Sequence, residues 1–390
     1  MVGMRGTLQR IGPLWTRGEP GRATPPAVTV ALYTSWLVAL AFKTLGASWD
    51  VAWHFKWIRD TTAPPHMVNF LGTGIAVALV LIHTYTGYGV DRRSLRFLQV
   101  GMGSFLVTIP MDIVNHTVNG LDLTAWSVTH VLLYTGTTVT LAGLIMAWNK
   151  QFPRSHRFYR IGFAALWLSM MENLWFPNEQ QEYGVLSLAA WDRGQTYAEP
   201  ELLQFAAAQI HHPVDRAAVE HFSLGLPEWL YPVWCVLSAT IALMLAKRFL
   251  RGRFTATLIA AAYVGYRTLA LGFIAGMGFP PYAVPVWALA IGVAVDLAYL
   301  LRAPLTAVVL APGLAYLALW GQSVLLVAPP SDLRSGPVVV AALLLALAGI
   351  GGLTPVGIGW TPPVRATRSR TRWQHGENSN AGALLGSGRR

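Results

Sequence analysis

Apolar stretches of about 20 residues recur along most of this chain, more than any single water-soluble core could absorb. About 20 residues at 1.5 Å each cross the hydrocarbon core of a bilayer. The composition agrees, at 54% hydrophobic and 12% charged. We read nine or ten spans: 27–46, 66–89, 95–116, 124–148, 158–177, 227–250, 254–277, 282–301, 304–328 and, shortest, 337–353. Backbone groups in lipid must be satisfied internally, and runs this long without alternation argue for helices and against a barrel. The expected fold class is all-α, a polytopic integral membrane helical bundle.

A formal net charge of +11 could point to nucleic acid, but the cations follow the loops. With the N-terminus cytoplasmic, most Lys and Arg fall in the two tails and in every second loop, at Arg92, Arg93 and Arg96, at Lys150, Arg154, Arg157 and Arg160, at Lys247, Arg248, Arg251 and Arg253, and at Arg302. That is the positive-inside pattern. It places both termini in the cytoplasm of a multi-pass plasma-membrane protein surrounded by lipid, and it requires no nucleic-acid partner. Cys235 is the only cysteine, which excludes an intrachain disulfide or an iron–sulfur cluster on this chain. Any metal must use His and carboxylate. Residues 1–24 lack the apolar core of a cleaved signal peptide, so the first membrane helix is expected to serve for insertion.

The strongest internal signal is a repeat. Asp50, His54, His66, Phe70, Gly72 and Thr73 match Asp112, His116, His130, Tyr134, Gly136 and Thr137. In each copy an outward helix ends in Asp-x-x-x-His, a short outer loop follows, and a His opens the returning helix. The copies share polarity, as in a parallel repeat about an axis along the membrane normal. The first four helices are therefore two repeated hairpins. The expected organisation is a basic tail (1–26), the hairpins (27–148), a fifth helix with a long outer loop (149–226), a C-terminal scaffold nearly free of ionisable residues (227–355) and a disordered basic tail (356–390). Within the outer loop, Leu202, Leu203, Phe205 and Ile210 predict a helix capping the hairpins.

Residues four apart share a helix face, so Asp50 with His54, and Asp112 with His116, can each reach one ion. His66 and His130, level with those pairs, can supply third ligands. One carboxylate with two imidazoles leaves coordination positions open, an arrangement used by non-haem iron and acceptable to copper or zinc. The alternative is a set of interfacial polar groups bonded to one another, to Arg59 or to water. Ionisable residues at membrane depth are costly and tend to be functional.

The run from Asp50 to His66 resembles the D-x-x-W-H, I-R-D-T and P-x-H signature of the third subunit of the particulate methane and ammonia monooxygenases, the copper membrane monooxygenase family. Asp112, His116, Thr117 and His130 resemble the N-x-x-x-H-T segment of that same polypeptide, with a His fourteen residues on. The match covers Trp49 to Thr137, about a quarter of the chain. It implies an intramembrane copper site, with Asp50, His54 and His66 as a catalytic metal triad and His116 with residue 112 in an adjacent site. It also implies partner monooxygenase subunits and a small apolar or ammonia-like substrate. Asp112 stands where the family has Asn, adding negative charge that favours a higher-valent or second ion. The first loop is one residue shorter, and the C-terminal helices are extra.

Arg59, Asp60 and Glu172 are candidates to orient a ligand or move protons. Asn173 could also face the site. Arg267 is expected to pair with a carboxylate such as Asp296, while His83 and His156 lie away from the ligand end. His211, His212 and His221 could deliver metal from outside. Beside an oxygenase the sequence leaves open a copper chaperone or transporter and, last, a haem protein. Transport would place ligands at several depths, whereas His and Asp crowd one end, and Met clusters are limited to Met170 and Met171.

Overall fold

Each of the ten apolar stretches forms a helix in the computed structural model, which describes residues 14–57, 62–119, 124–155, 157–227, 229–250, 252–326 and 336–349. The helices are α1 (Pro26–His54), α2 (Pro64–Thr86), α3 (Arg92–Asn119), α4 (Val128–Gln151), α5 (Arg157–Trp191), α6 (Pro200–Gln209), α7 (Arg216–Leu224), α8 (Leu230–Leu250), α9 (Thr255–Gly276), α10 (Ala288–Leu300), α11 (Ala307–Leu326) and α12 (Gly336–Gly349). Among the described residues there is no strand. The described residues up to Ala346 form one compact unit, and beyond it only 347–349, the end of α12, are described. Most of the predicted tails, with Arg59, Asp60, His156 and Arg251, lie outside the described residues.

Local chemistry sets the helix ends. Proline opens α1, α2 and α6, where its missing N–H costs nothing and its fixed φ suits the first turn. Ser127 caps α4 by accepting from His130 N, and Asp215 caps α7 by accepting from Ala217 N and Ala218 N. Gly87, at φ 68°, ends α2 in the left-handed conformation.

Seven helices, α1 to α4, α8, α9 and α11, are long and apolar enough to cross a bilayer. Large apolar side chains on them, such as Leu81, Val107, Leu258, Leu269 and Leu317, are exposed, as a lipid-facing surface requires. The chain is a polytopic membrane helical bundle. The other three of the ten expected spans differ. α10 and α12 have 13 and 14 residues, about 20 Å of helix and short for an unaided crossing. α5 has 35 residues but is broken in its apolarity by Glu172, Glu179 and Glu182.

α5 also departs from the expected boundary. The sequence places its end at Pro177 and an outer loop from Asn178, yet the helix continues to Trp191 with Pro177 inside it. Its polar continuation is buried, not solvated. Asn178, Glu179, Gln180, Gln181 and Glu182 are at most 4% exposed, and Asn178, Glu179 and Glu182 find partners on other helices. Asn178 Nδ2 donates to Tyr231 O and Cys235 Sγ. Arg267 of α9 reaches Glu179 at 2.9 Å, Glu182 at 3.0 Å and Glu172 at 3.4 Å.

Arg267 thus pairs with carboxylates as expected, but Asp296, named as an example, is not among them. Asp296 pairs instead with Lys247 and accepts from Thr257 N and Oγ1, while Lys247 also donates to Gly252 O and Arg253 O. Ridding a buried pair of one partner costs about 3–5 kcal/mol, so both clusters pin the C-terminal helices. That region is more than an apolar scaffold, because Arg267 and Tyr266 reach the residues that line the site. The predicted capping helix is present as α6, with Leu202 and Leu203 buried, and α7 packs against both α6 and α5.

The repeat is visible in how the hairpins close. α1 packs along α2, and α3 along α4. A Cβ on Gly72 would lie 2.7 Å from Ala39 O and 3.0 Å from Lys43 N, and one on Gly136 would lie 2.9 Å from both Gly101 O and Phe105 N. Ala39 and Lys43 precede Asp50 by the same intervals that separate Gly101 and Phe105 from Asp112. Both hairpins thus cross at the same register, through a glycine six residues beyond the returning His.

Candidate metal centre

Helix geometry alone brings the first three ligands together. Asp50 and His54 lie one turn apart at the end of α1, and the two prolines that open α2 put His66 in its first turn. Asp50 Oδ1 is 3.2 Å from His54 Nε2 and 2.9 Å from His66 Nε2, and the two imidazole nitrogens are 3.3 Å apart. Bonds of about 2.0–2.1 Å, as for imidazole on zinc, separate neighbouring ligand atoms by about 2.9–3.4 Å between octahedral and tetrahedral angles. All three separations fall in that interval. The donor set of one oxygen and two imidazole nitrogens suits copper, zinc or iron.

The second triad has the same topology and a wider opening. Asp112 Oδ1 is 3.7 Å from His116 Nε2 and 4.0 Å from His130 Nε2. Here neighbouring hydroxyls hold the ligands. Thr129 Oγ1 donates to Asp112 Oδ1 at 2.6 Å, and Ser127 Oγ shares a 2.8 Å hydrogen bond with His130 Nδ1. Among the described residues, these two triads are the groups of three or more acidic, His or Cys side chains whose ligand atoms converge within 4.8 Å.

Both triads line one cavity of about 400 Å³. Its walls come from α1 to α5 and from Phe222 of α7, and they are mostly apolar, with Leu40, Phe70, Phe105, Ile109, Leu133, Leu141 and Phe176. That size and lining are typical of small-molecule sites. Glu172 and Asn173 face it as expected. Asn173 Nδ2 bonds Tyr134 O at 3.0 Å and Thr138 Oγ1 at 2.7 Å, tying α5 to α4. Glu172 accepts from Ser48 and pairs with Arg267, and Ser48 in turn meets Tyr266 OH at 2.6 Å. Glu172 thus anchors a buried polar chain that opens on the cavity.

The remaining described histidines do not join either triad. His83 sits in the core, accepting from Trp36 Nε1 at 2.9 Å while Nδ1 meets Tyr88 O at 2.7 Å. His212 pairs with exposed Asp215, and His221 meets Gln209. Asp215 is held below the usual carboxylate range by the N–H groups it caps, that of Ala218 above all, and by His212.

Sequence reasoning missed Ser48, Ser127, Thr129, Lys43 and Asn69. Ser127 had a readable signal, a Ser three residues before His130 at a helix start. Lys43 and Asn69 line the cavity but lie seven residues before Asp50 and three after His66, outside the motif. Comparison of the chain with family models, characterised proteins and solved structures gives no match.

Proposed function

We propose that the two Asp–His–His triads are metal sites, with copper the first candidate and iron or zinc the alternatives, in a monooxygenase-like membrane protein. The observation that carries this reading is the convergence of both triads, at matched positions of a repeat, on one apolar cavity. Chance polar clustering at a helix end gives no reason for two copies to share one cavity. The resemblance to the third subunit of the particulate monooxygenases adds the reaction class. Bound copper with open coordination positions would supply O2 activation, for which hydroxylation balances as RH + O2 + 2e⁻ + 2H⁺ → ROH + H2O, with electrons from an external donor.

The chain's own residues would then do three things. Asp50, His54 and His66 hold the tighter position, with Asp112, His116 and His130 the wider one. The apolar wall keeps bulk water from the reacting space and receives a small substrate, a hydrocarbon or an ammonia-like molecule. Glu172, bonded to Ser48 and Arg267, is placed to pass protons between the buried cluster and the cavity. The positive-inside pattern sets the site toward the extracytoplasmic face of the plasma membrane. Partner subunits like those of the resembled family would complete the electron path.

Transport would place ligands at several depths, whereas the converging Asp and His groups are the two triads alone among the described residues, which supports a fixed site over a transport path. The test is metal content of the purified protein in lipid, by mass spectrometry. Copper near one or two per chain in the wild type, reduced in His54→Ala with His66→Ala, is the expected result. The same protein without bound metal after copper reconstitution would overturn the reading.

A further inference from the structure

Lys43 stands in the cavity wall without a role in either metal site. It lies near the middle of α1, about two turns, or roughly 10 Å, inward from Asp50, and a cation at that depth is costly unless it has a task. Its ammonium has three N–H donors. Two go to Asn69 Oδ1 at 3.0 Å and Thr73 Oγ1 at 3.1 Å, and the Phe105 ring centroid is 4.1 Å from Nζ. Among the described residues no carboxylate pairs with it. Asn69 and Thr73 are neutral acceptors, so the positive charge is cradled but not neutralised.

The repeat shows that this is a departure from the shared plan. In register from Asp and His, Lys43 corresponds to Phe105, Asn69 to Leu133 and Thr73 to Thr137. The second hairpin presents phenyl and leucyl groups to the cavity where the first presents an ammonium and a carboxamide. A cavity serving only a hydrocarbon would have no use for that substitution. Charge also fixes a direction. Asp50, Asp112 and Glu172 line the same cavity, and Ser48, the partner of Glu172, lies outward of Lys43 along α1, so in the metal-free protein an anionic group is drawn to the inner end and repelled from the outer one.

We propose that the cavity binds an amphipathic monocarboxylate, its head on Lys43 and its apolar chain running past Phe105 and Leu133 toward the triads. That the ligand is a substrate rests on the oxygenase reading; that it binds does not. The polar head takes the third donor of Lys43 and supplies the missing counter-charge. The chain takes the apolar wall, and its far end comes level with Asp50.

The probe is decanoate, compared with decan-1-ol and acetate, titrated calorimetrically into the full chain in lipid nanodiscs, with and without copper. Wild type is expected to bind decanoate roughly tenfold or more tighter than decan-1-ol, the scale of one charge-assisted hydrogen bond. Lys43→Met should erase that difference, and Lys43→Arg should keep most of it. Acetate should bind far more weakly than decanoate. The proposal is overturned if wild type does not prefer decanoate to decan-1-ol, if Lys43→Met leaves the preference intact, or if acetate binds as tightly as decanoate. Retention of decanoate binding in His54→Ala with His66→Ala, or in protein that takes up no copper, separates this proposal from the fate of the metal reading.

Discussion

The two hairpins place the same ligands at the same register and still build different sites. In the first, α2 opens with Ala63, Pro64 and Pro65, so the residues before His66 carry no side-chain hydroxyl. Asp50 and the two imidazoles face each other at 2.9–3.3 Å. In the second, the corresponding positions are Ser127, Val128 and Thr129. Ser127 engages the far nitrogen of His130, and Thr129 engages the carboxylate oxygen that faces the imidazoles. The lesson is that a ligand motif sets which atoms can meet, while the cap of the returning helix sets how closely they do. As candidate metal sites, the first would be preformed and the second held partly open by its neighbours.

The largest effect should come from cutting that comparison at its tighter end. Asp50→Ala is expected to lower affinity at the first metal equivalent by more than about 100-fold, because loss of a mere supporting contact already costs 10–100-fold. Asp112→Ala should do less and should affect the second equivalent alone. Copper titration against a competing chelator reads both. Equal losses in the two variants would break the distinction drawn between preformed and open sites.

The shared crossing gives the next largest effect. Gly72→Ala and Gly136→Ala each drive a methyl group into the backbone of the facing helix, at 2.7 and 2.9 Å, and overpacking of this kind costs about 1–3 kcal/mol. Both variants should unfold at lower temperature by similar amounts, read by thermal unfolding in detergent. A loss in one hairpin only would mean that the repeat is a repeat of ligands and not of architecture.

The hydroxyls of the second hairpin allow a finer test with opposite signs. Thr129→Val frees Asp112 to close on His116 and His130, so affinity at the second equivalent is expected to rise by up to about tenfold. Ser127→Ala removes the group that orients the His130 ring and should lower that affinity by about tenfold. It also removes a helix cap, at about 1 kcal/mol of stability. Shifts of the same sign in the two variants would sink the account of why the second triad is wide.

Much of this molecule could be read from sequence because hydropathy and ligand spacing are local properties. The ten apolar stretches, the two hairpins and the convergence of six Asp and His side chains all follow from runs or from short, repeated intervals. What escaped was set by tertiary partners. Glu179, Gln180, Gln181 and Glu182 look like a solvated loop until Arg267 arrives from a helix some 85 residues later. The pairing of Arg267 with three glutamates, in place of Asp296, depends on which helices pack together, and no periodicity encodes that. Lys43 was invisible for another reason, since a single cation in an apolar run looks like a tolerated exception until its cavity is known.

The smallest effect lies at the far end of the second hairpin, where Asp91 ties α3 to α4. Its carboxylate accepts from Ser94 Oγ and Arg93 N in the first turn of α3 and from Lys150 Nζ of α4 at 2.8 Å. Burial pushes its pKa up, but the hydrogen bonds from Lys150 and Ser94 outweigh it and hold the carboxyl below its ordinary value. With the folded pKa below the unfolded one, the contribution to stability is fully present above the unfolded value and fades as pH falls through the folded one. Because Lys150 is about half exposed, at 52%, the ion pair is expected to contribute less than about 1 kcal/mol. Asp91→Asn should therefore lower the unfolding temperature slightly at neutral pH, and the difference from wild type should shrink as the carboxylate titrates in acid. A gap that stays constant down to strongly acidic pH would mean that the Asp91 contribution is the cap geometry alone. The second hairpin would then differ from the first in the hydroxyls beside its ligands and not in an ion pair at its inner end.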